Sequence, residues 1–224
     1  MNSFRLALIG ALVISVAALG ISYVASLRTS RVEAREPMWQ ESIEQLKELC
    51  RTKYRQSLRY TAYAHHAERD AHLAEAELFH ALSHADAIHC ANCRRAIKSL
   101  GGEFSLPIIA PTDFIGVEAH IESVLGNKLH THYHQIQPCI TRALADNNRY
   151  VARMLTWCDA CDVKQILLLR NILAGEGCDG LAFRVCPTCG DVTWEEVATR
   201  HCPQCMTDSV NFLIMSRQLS AAGR

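Results

Sequence analysis

Hydrophobic and polar positions divide the chain into three zones. Residues 6–27 form an unbroken run of 22 residues without a charge, enough to cover roughly 30 Å as a helix, the thickness of a bilayer core. A secretory signal has an apolar core of only about 7–15 residues, so the pattern predicts a retained transmembrane helix, with a cleaved signal ending near Ala25-Ser26 as the alternative. Arg5 alone precedes the run, whereas Arg28, Arg31 and Arg35 follow it. That asymmetry predicts a single-pass membrane protein with its body on the cytoplasmic side. From Pro37 to about Ala174 the chain reads as helical. Residues 41–68 and 72–100 are rich in Ala, Leu, Glu and Arg and contain no Pro or Gly, which predicts two long helices. Gly101-Gly102 stops the second, and a connection follows that is too long for a tight turn and contains Pro107. A third helix is expected from Pro111-Thr112, capped by Thr112 or Asp113, to Ala145, with a kink at Pro138. Asp146-Asn147-Asn148 turns the chain into a fourth helix, residues 149–174, ended by Gly175. Beyond it the pattern is short, β-rich and Cys-bearing.

Two helical pairs joined by one long crossover is the connectivity of a ferritin-like bundle. The expected organisation is mainly α: a membrane anchor (residues 1–35), a four-helix bundle (36–175), a Gly-rich linker (176–180), a small β-knuckle domain (181–216) and a tail (217–224). Composition sharpens this picture. The 23 basic and 23 acidic side chains give no net charge, which argues against a nucleic-acid binder. Eleven Cys, an odd number, with four of them in two CxxC pairs, fit metal ligation better than a closed disulfide set. Such thiols also suit a reducing compartment.

The clearest chemistry is the pair of loops Cys186-Pro187-Thr188-Cys189 and Cys202-Pro203-Gln204-Cys205, separated by twelve residues. Each CxxC loop wraps one face of a metal with two thiolates, and two loops complete a tetrahedral four-sulfur site for iron or zinc. Pro187 and Pro203 stiffen the loops, and Gly190 permits the left-handed turn that leaves the first. A structural zinc ribbon has the same spacing, so both metals stay open.

Phe183-Arg184-Val185-Cys186-x-x-Cys189-Gly190, the twelve-residue gap, Cys202-Pro203-x-Cys205 and the closing Asn211-Phe212-Leu213 resemble the rubredoxin-like domain of rubrerythrins. The bundle is similar to the same family in Arg59-Tyr60-Thr61-x-Tyr63-Ala64 of the first helix, and in Phe79 and the DxxH of Asp86 and His89 in the second. The resemblance covers roughly residues 45–215. It implies a ferritin-like bundle followed by a rubredoxin-like domain in which Cys186, Cys189, Cys202 and Cys205 hold iron. That iron would pass electrons to a carboxylate-bridged di-iron site that reduces hydrogen peroxide. A homodimer, with one knuckle domain facing another subunit's bundle, is implied as well. The electron donor is not named by the sequence.

The bundle departs from the family where a di-iron site needs hard oxygen ligands. Lys53 stands at the place of a ligand Glu in the first helix and cannot bind metal while protonated. Asp86 and His89 keep a shortened ExxH, the third-helix positions correspond to Asn127 and His130, and the fourth keeps Asp162 but has Gln165 in place of His. Few carboxylates remain, so two irons are poorly neutralised. Thiols cluster nearby in sequence: Cys90 and Cys93 follow His89, and Cys158 and Cys161 precede Asp162. These four form a candidate thiolate-rich site for zinc, iron, copper(I) or an iron–sulfur cluster, with Cys50, His89 and His134 as neighbours. A redox disulfide and plain packing of buried thiols are the alternatives. His130 and His134 lie one helical turn apart, a spacing that binds metals. His65, His66, His72, His80 and His84 read as solvated, and Cys139 and Cys178 as incidental. The expected function is that of a membrane-anchored rubrerythrin-like redox metalloprotein, moving electrons from the four-cysteine iron to a modified bundle site, with peroxide reduction as the inherited reaction. Its rivals are a zinc-holding scaffold or assembly factor, and an iron-handling protein.

Overall fold

The computed structural model describes residues 39–110, 115–194 and 199–215. The chain divides into two units, Met1–Gln40 and Glu41–Arg224, and the bundle and the two CxxC loops both belong to the second. The first helix, α1 (Gln40–Arg69), buries Ile43, Leu46, Cys50, Lys53, Ser57, Tyr60, Ala64 and Ala67. That three-and-four spacing makes one inward stripe. Burial of each large apolar side chain contributes roughly 1.5–3 kcal/mol. Helix α2 (Leu73–Ser99) ends where Gly101, at φ +83°, lets its own N–H reach Lys98 O at 3.1 Å and that of Gly102 reach Ile97 O at 2.9 Å.

The third rod of the bundle is broken. Helix α3 (Val117–Thr131) passes through a π-helical turn, His132–Ile136, into α4 (Gln137–Ala145). Pro138 falls in the first turn of α4, directly after the π-helical turn. The kink expected at Pro138 is therefore absorbed by the wider turn just before it. The caps expected at Thr112 and Asp113 lie outside the described residues, and α3 is first seen at Val117. Helix α5 (Arg149–Asn171) starts at Asn148, whose side chain accepts the N–H of Val151 at 3.1 Å, and a second π-helical turn leads to Gly175 at φ +99°.

Three short antiparallel strands follow: β1 (Phe183–Val185) lies between β2 (Val192–Thr193) and β3 (Leu213–Met215). Arg184 faces Thr193 on one side and Ile214 on the other. Phe183, Val185 and Val192 point into the same apolar core as Phe79, Leu82 and Ala85 of α2 and Leu168 and Leu169 of α5. The sheet is thus packed on the bundle of its own chain, and this places the two CxxC loops against α2 and α5.

Among the described residues no helix is long and apolar enough to cross a membrane. Each long helix carries charges on its outer face, as Lys47, Glu48 and Arg51 do on α1. The single-pass membrane placement expected from the sequence is corrected on this finding. The run that prompted it, residues 6–27, lies outside the described residues.

Candidate metal centre and a buried lysine–aspartate cluster

The two CxxC loops close on each other. The sulfurs of Cys186, Cys189, Cys202 and Cys205 all lie within 4.8 Å of one another, with Cys186 to Cys205 and Cys189 to Cys202 each at 3.5 Å. Each loop is a tight turn: Gly190 N donates to Cys186 O at 2.9 Å, and Met206 N to Cys202 O at 3.0 Å. The thiols of Cys189 and Cys202 hydrogen-bond toward Cys186 and hold it well below the usual thiol range, while Cys161 and Cys186 push Cys189 up and Cys186 and Cys189 push Cys202 up. Four sulfurs converging in this way fit a tetrahedral metal. Cys186, Cys189 and Cys202 are buried, and Cys205 is the half-buried ligand.

The first loop is tied to the bundle at several points. His89 Nε2 donates to Cys189 O at 2.9 Å, Asn92 Nδ2 to Thr188 O at 3.0 Å, and Cys161 Sγ lies 3.8 Å from Cys189 O. From α5, Lys164 Nζ reaches both oxygens of the buried Asp191 at 3.3 Å. Gly190 must be glycine here. It sits at φ +81°, and a Cβ would come within 2.6 Å of His89 Nε2 and 3.0 Å of Ala85 O.

At the middle of the bundle, where the four rods meet, Asp86 of α2 and Asp162 of α5 face each other across two lysines. Lys53 Nζ donates to Asp86 Oδ1 at 3.0 Å and to Asp162 Oδ2 in a short contact, and Lys128 Nζ lies 3.0 Å from Asp162 Oδ1 and 3.4 Å from both oxygens of Asp86. All four side chains are 0% exposed. Burial alone would lower the Lys53 pKa, but Asp162 and Asp86 outweigh it and hold the ammonium well above its ordinary range. Burial would likewise raise both aspartates, and Lys128 and Lys53 instead pull them below the usual carboxylate range. Two ammonium groups and two carboxylates therefore compensate one another in a dry site.

His89 joins this cluster to the first CxxC loop. Its Nδ1 lies 3.3 Å from Asp86 Oδ1 while Nε2 meets the Cys189 carbonyl. Both partners are acceptors, so both ring nitrogens carry protons. Burial works against that charge, but Cys158 and Asp86 overcome it and raise the pKa to about 9.

Asp86, His89 and Asp162 do bring three donor atoms within 4.8 Å of one another. The dinuclear iron implied by resemblance does not fit them. Its two cation positions would compete with two ammonium groups already bound to the same carboxylate oxygens, and His89 has no lone pair left to offer.

Comparison with solved structures bears on this geometry directly. The chain superposes on fully reduced, all-ferrous nigerythrin with a TM-score of 0.71 at 19% identity, covering 77% of this chain and 86% of that one. The fold is that of nigerythrin, a rubrerythrin-family protein. The mixed-valent form of nigerythrin gives a TM-score of 0.70 at 19% identity over the same shares. An open-pore ferritin from the archaeon Archaeoglobus fulgidus gives 0.54 at 14% identity, covering 61% of this chain and 87% of that one. No protein-family model matches the sequence, and no curated protein matches it.

Seen on the nigerythrin fold, the candidate residues fall into separate places. Lys128, not Asn127 or His130, turns inward from α3. It follows Ile121 and Val124 on the buried row and precedes Thr131. His130 and His134 are both exposed, with ring centroids 4.8 Å apart. The four thiols of Cys90, Cys93, Cys158 and Cys161 do not converge on one point. Cys90 meets Cys50, Sγ to Sγ 3.2 Å, Cys161 faces the Cys189 carbonyl, and Cys93 and Cys158 are buried in the bundle. Gln165, three residues after Asp162, is buried with neither amide atom hydrogen-bonded among the described residues. His84 is exposed, and His65 and His80 hold Glu68 between them at 3.1 and 2.9 Å.

Proposed function

We propose that this protein is a one-electron redox metalloprotein of rubrerythrin-like build with a single metal centre. Cys186, Cys189, Cys202 and Cys205 hold iron, and the bundle has exchanged its dinuclear metal site for a salt-bridged lysine pair. The observation that carries the reading is the pairing of Lys53 and Lys128 with Asp86 and Asp162. Each ammonium supplies one fixed positive charge where a metal ion would supply two or three.

Iron in a tetrahedral thiolate set supplies one electron per centre. The chain's own residues decide how that site is held. Gly190 lets the backbone of the first loop reach His89, and the imidazolium hydrogen-bonds the Cys189 carbonyl, placing a positive charge beside a negative thiolate centre. A fixed positive charge there favours the reduced, more negative form of the site. Thr207 Oγ1 lies 3.1 Å from the Cys205 sulfur. Cys205 is also the half-buried ligand, so a redox partner approaches on that edge. With a single metal centre, electron transfer in this reading runs between that site and an outside redox partner.

Peroxide reduction takes two electrons per molecule, and this reading gives the bundle no metal to deliver them. The test is a reductive titration of the oxidised full chain under anaerobic conditions. The reading expects the visible absorption of a ferric thiolate site to vanish at one electron per chain. A second electron taken up by another iron centre would overturn it. A colourless protein holding one zinc would do so too, and would make the chain a structural scaffold.

A further inference from the structure

Five of the eleven cysteines lie on the helices that enclose the lysine–aspartate cluster without touching the four knuckle cysteines: Cys50, Cys90, Cys93, Cys139 and Cys158. Two of them are already in contact. Cys50 Sγ on α1 lies 3.2 Å from Cys90 Sγ on α2 and 3.5 Å from the Cys90 carbonyl. A disulfide has an S–S distance of about 2.05 Å, so about 1.2 Å of approach separates contact from bond. Among the described residues, no third His, Cys, Asp or Glu donor joins this pair into a metal-holding group. Two sulfurs in contact without further ligands are suited to dithiol–disulfide chemistry.

The surroundings divide the roles. The Cys50 thiol hydrogen-bonds to Cys90 and, with the Arg94 guanidinium one turn along, holds the Cys90 thiol below its ordinary range. Burial pushes Cys93 well up and Cys139 up to about 12, which keeps both as inert thiols. Access is narrow. Cys50 is 0% and Cys90 4% exposed. A cavity of about 760 Å³ lined by Ala91, Arg94, Arg95, Lys98 and Phe104 opens beside the residue that follows Cys90. An oxidant that reaches the nearly buried Cys90 must be small, and a peptide disulfide does not fit at a buried sulfur.

We propose that Cys50 and Cys90 form a redox-active pair that a small hydroperoxide closes to a disulfide between α1 and α2. Cys90 thiolate attacks one peroxide oxygen. The O–O bond breaks, the leaving hydroxide takes a proton to become water, and Cys90 becomes a sulfenic acid. Cys50 then attacks that sulfur, the S–S bond forms, the S–O bond breaks, and the departing hydroxide takes the Cys50 proton as a second water. Two thiols and one hydrogen peroxide yield one disulfide and two waters, with two electrons passing from sulfur to oxygen. The pair stands independently of the metal in the knuckle site.

The experiment treats the full, metal-loaded chain with one equivalent of hydrogen peroxide, blocks the remaining thiols, and maps peptides without reduction. A parallel arm uses oxidised glutathione. The expected first product is a linked Cys50–Cys90 peptide, with two thiols lost and the metal retained. Oxidised glutathione is expected to react at least tenfold more slowly. In Cys50→Ser the Cys90 sulfenic acid persists and is trapped by dimedone. In Cys90→Ser neither product forms. The proposal is overturned if the first disulfide joins knuckle-site sulfurs with loss of metal, if glutathione closes the pair faster than peroxide, or if the Cys50 and Cys90 thiols survive peroxide unchanged.

Discussion

Lys53 and Lys128, from α1 and α3, share the carboxylate of Asp86: one ammonium lies 3.0 Å from Oδ1 and the other 3.4 Å from both oxygens. With Asp162 closing the square from α5, the four rods of the bundle are joined at their centre by one network of paired charges. A buried pair of this kind contributes little net stability over an apolar replacement, yet removing one partner strands a charge.

Lys53→Met therefore costs about 3–5 kcal/mol, as expected for an uncompensated buried charge. Adding Asp162→Asn to it recovers part of the loss. Denaturant unfolding of the two single variants and the double variant measures this, and a coupling of about 1–3 kcal/mol is expected between residues in one network.

The pH dependence follows from the directions of the shifts. Asp86 and Asp162 are lowered in the folded state, so their contribution is present above the ordinary carboxylate range and is lost as pH falls through their folded values. His89 is raised to about 9, so its contribution is complete below the unfolded value of about 6.5 and fades as pH rises through about 9. Stability is expected to peak between about pH 5 and 6.5 and to decline on both sides. Unfolding midpoints from pH 3 to 10 check this, and His89→Gln flattens the alkaline limb.

Gly190→Ala forces a Cβ to within 2.6 Å of His89 Nε2 and imposes strain at φ +81°. The first loop must then leave α2. Backbone strain of this kind costs about 1–3 kcal/mol, and the metal of the knuckle site is expected to pass to a chelator at least tenfold faster than in the unaltered protein.

The knuckle site is readable in the sequence because its four ligands are set by local loops, and neither packing nor helix rotation can move Cys186 away from Cys189. Asp86, His89 and Lys53 are readable for a related reason, since each lies in a long uninterrupted helix with a clear inward row. Lys128 escapes such a reading because the family's ligand spacing falls on Asn127 and His130, on either side of it, whereas Ile121, Val124 and Thr131 show the buried row directly and put Lys128 on it. The thiols are harder still. Cys90 and Cys93 are three residues apart, about 300° around a helix, and only the packed bundle shows that Cys90 turns to Cys50 and Cys161 to the knuckles.

Returning carboxylates to the centre reverses its preference. In Lys53→Glu/Lys128→Glu, two lysines give way to two acidic oxygen donors beside Asp86 and Asp162, the hard ligand set that suits divalent iron or manganese. The double variant is expected to take up as many as two further divalent ions per chain, read by equilibrium dialysis with manganese. Uptake no greater than in the unaltered chain would mean that the lysines are not what keeps metal out.

Metal content per chain, measured on the full protein purified anaerobically from iron-supplied cells, tests the central claim most directly. The paired lysines predict one iron per chain, lost entirely when Cys189 and Cys202 become Ser. Three irons per chain, with two surviving that change, would contradict the account.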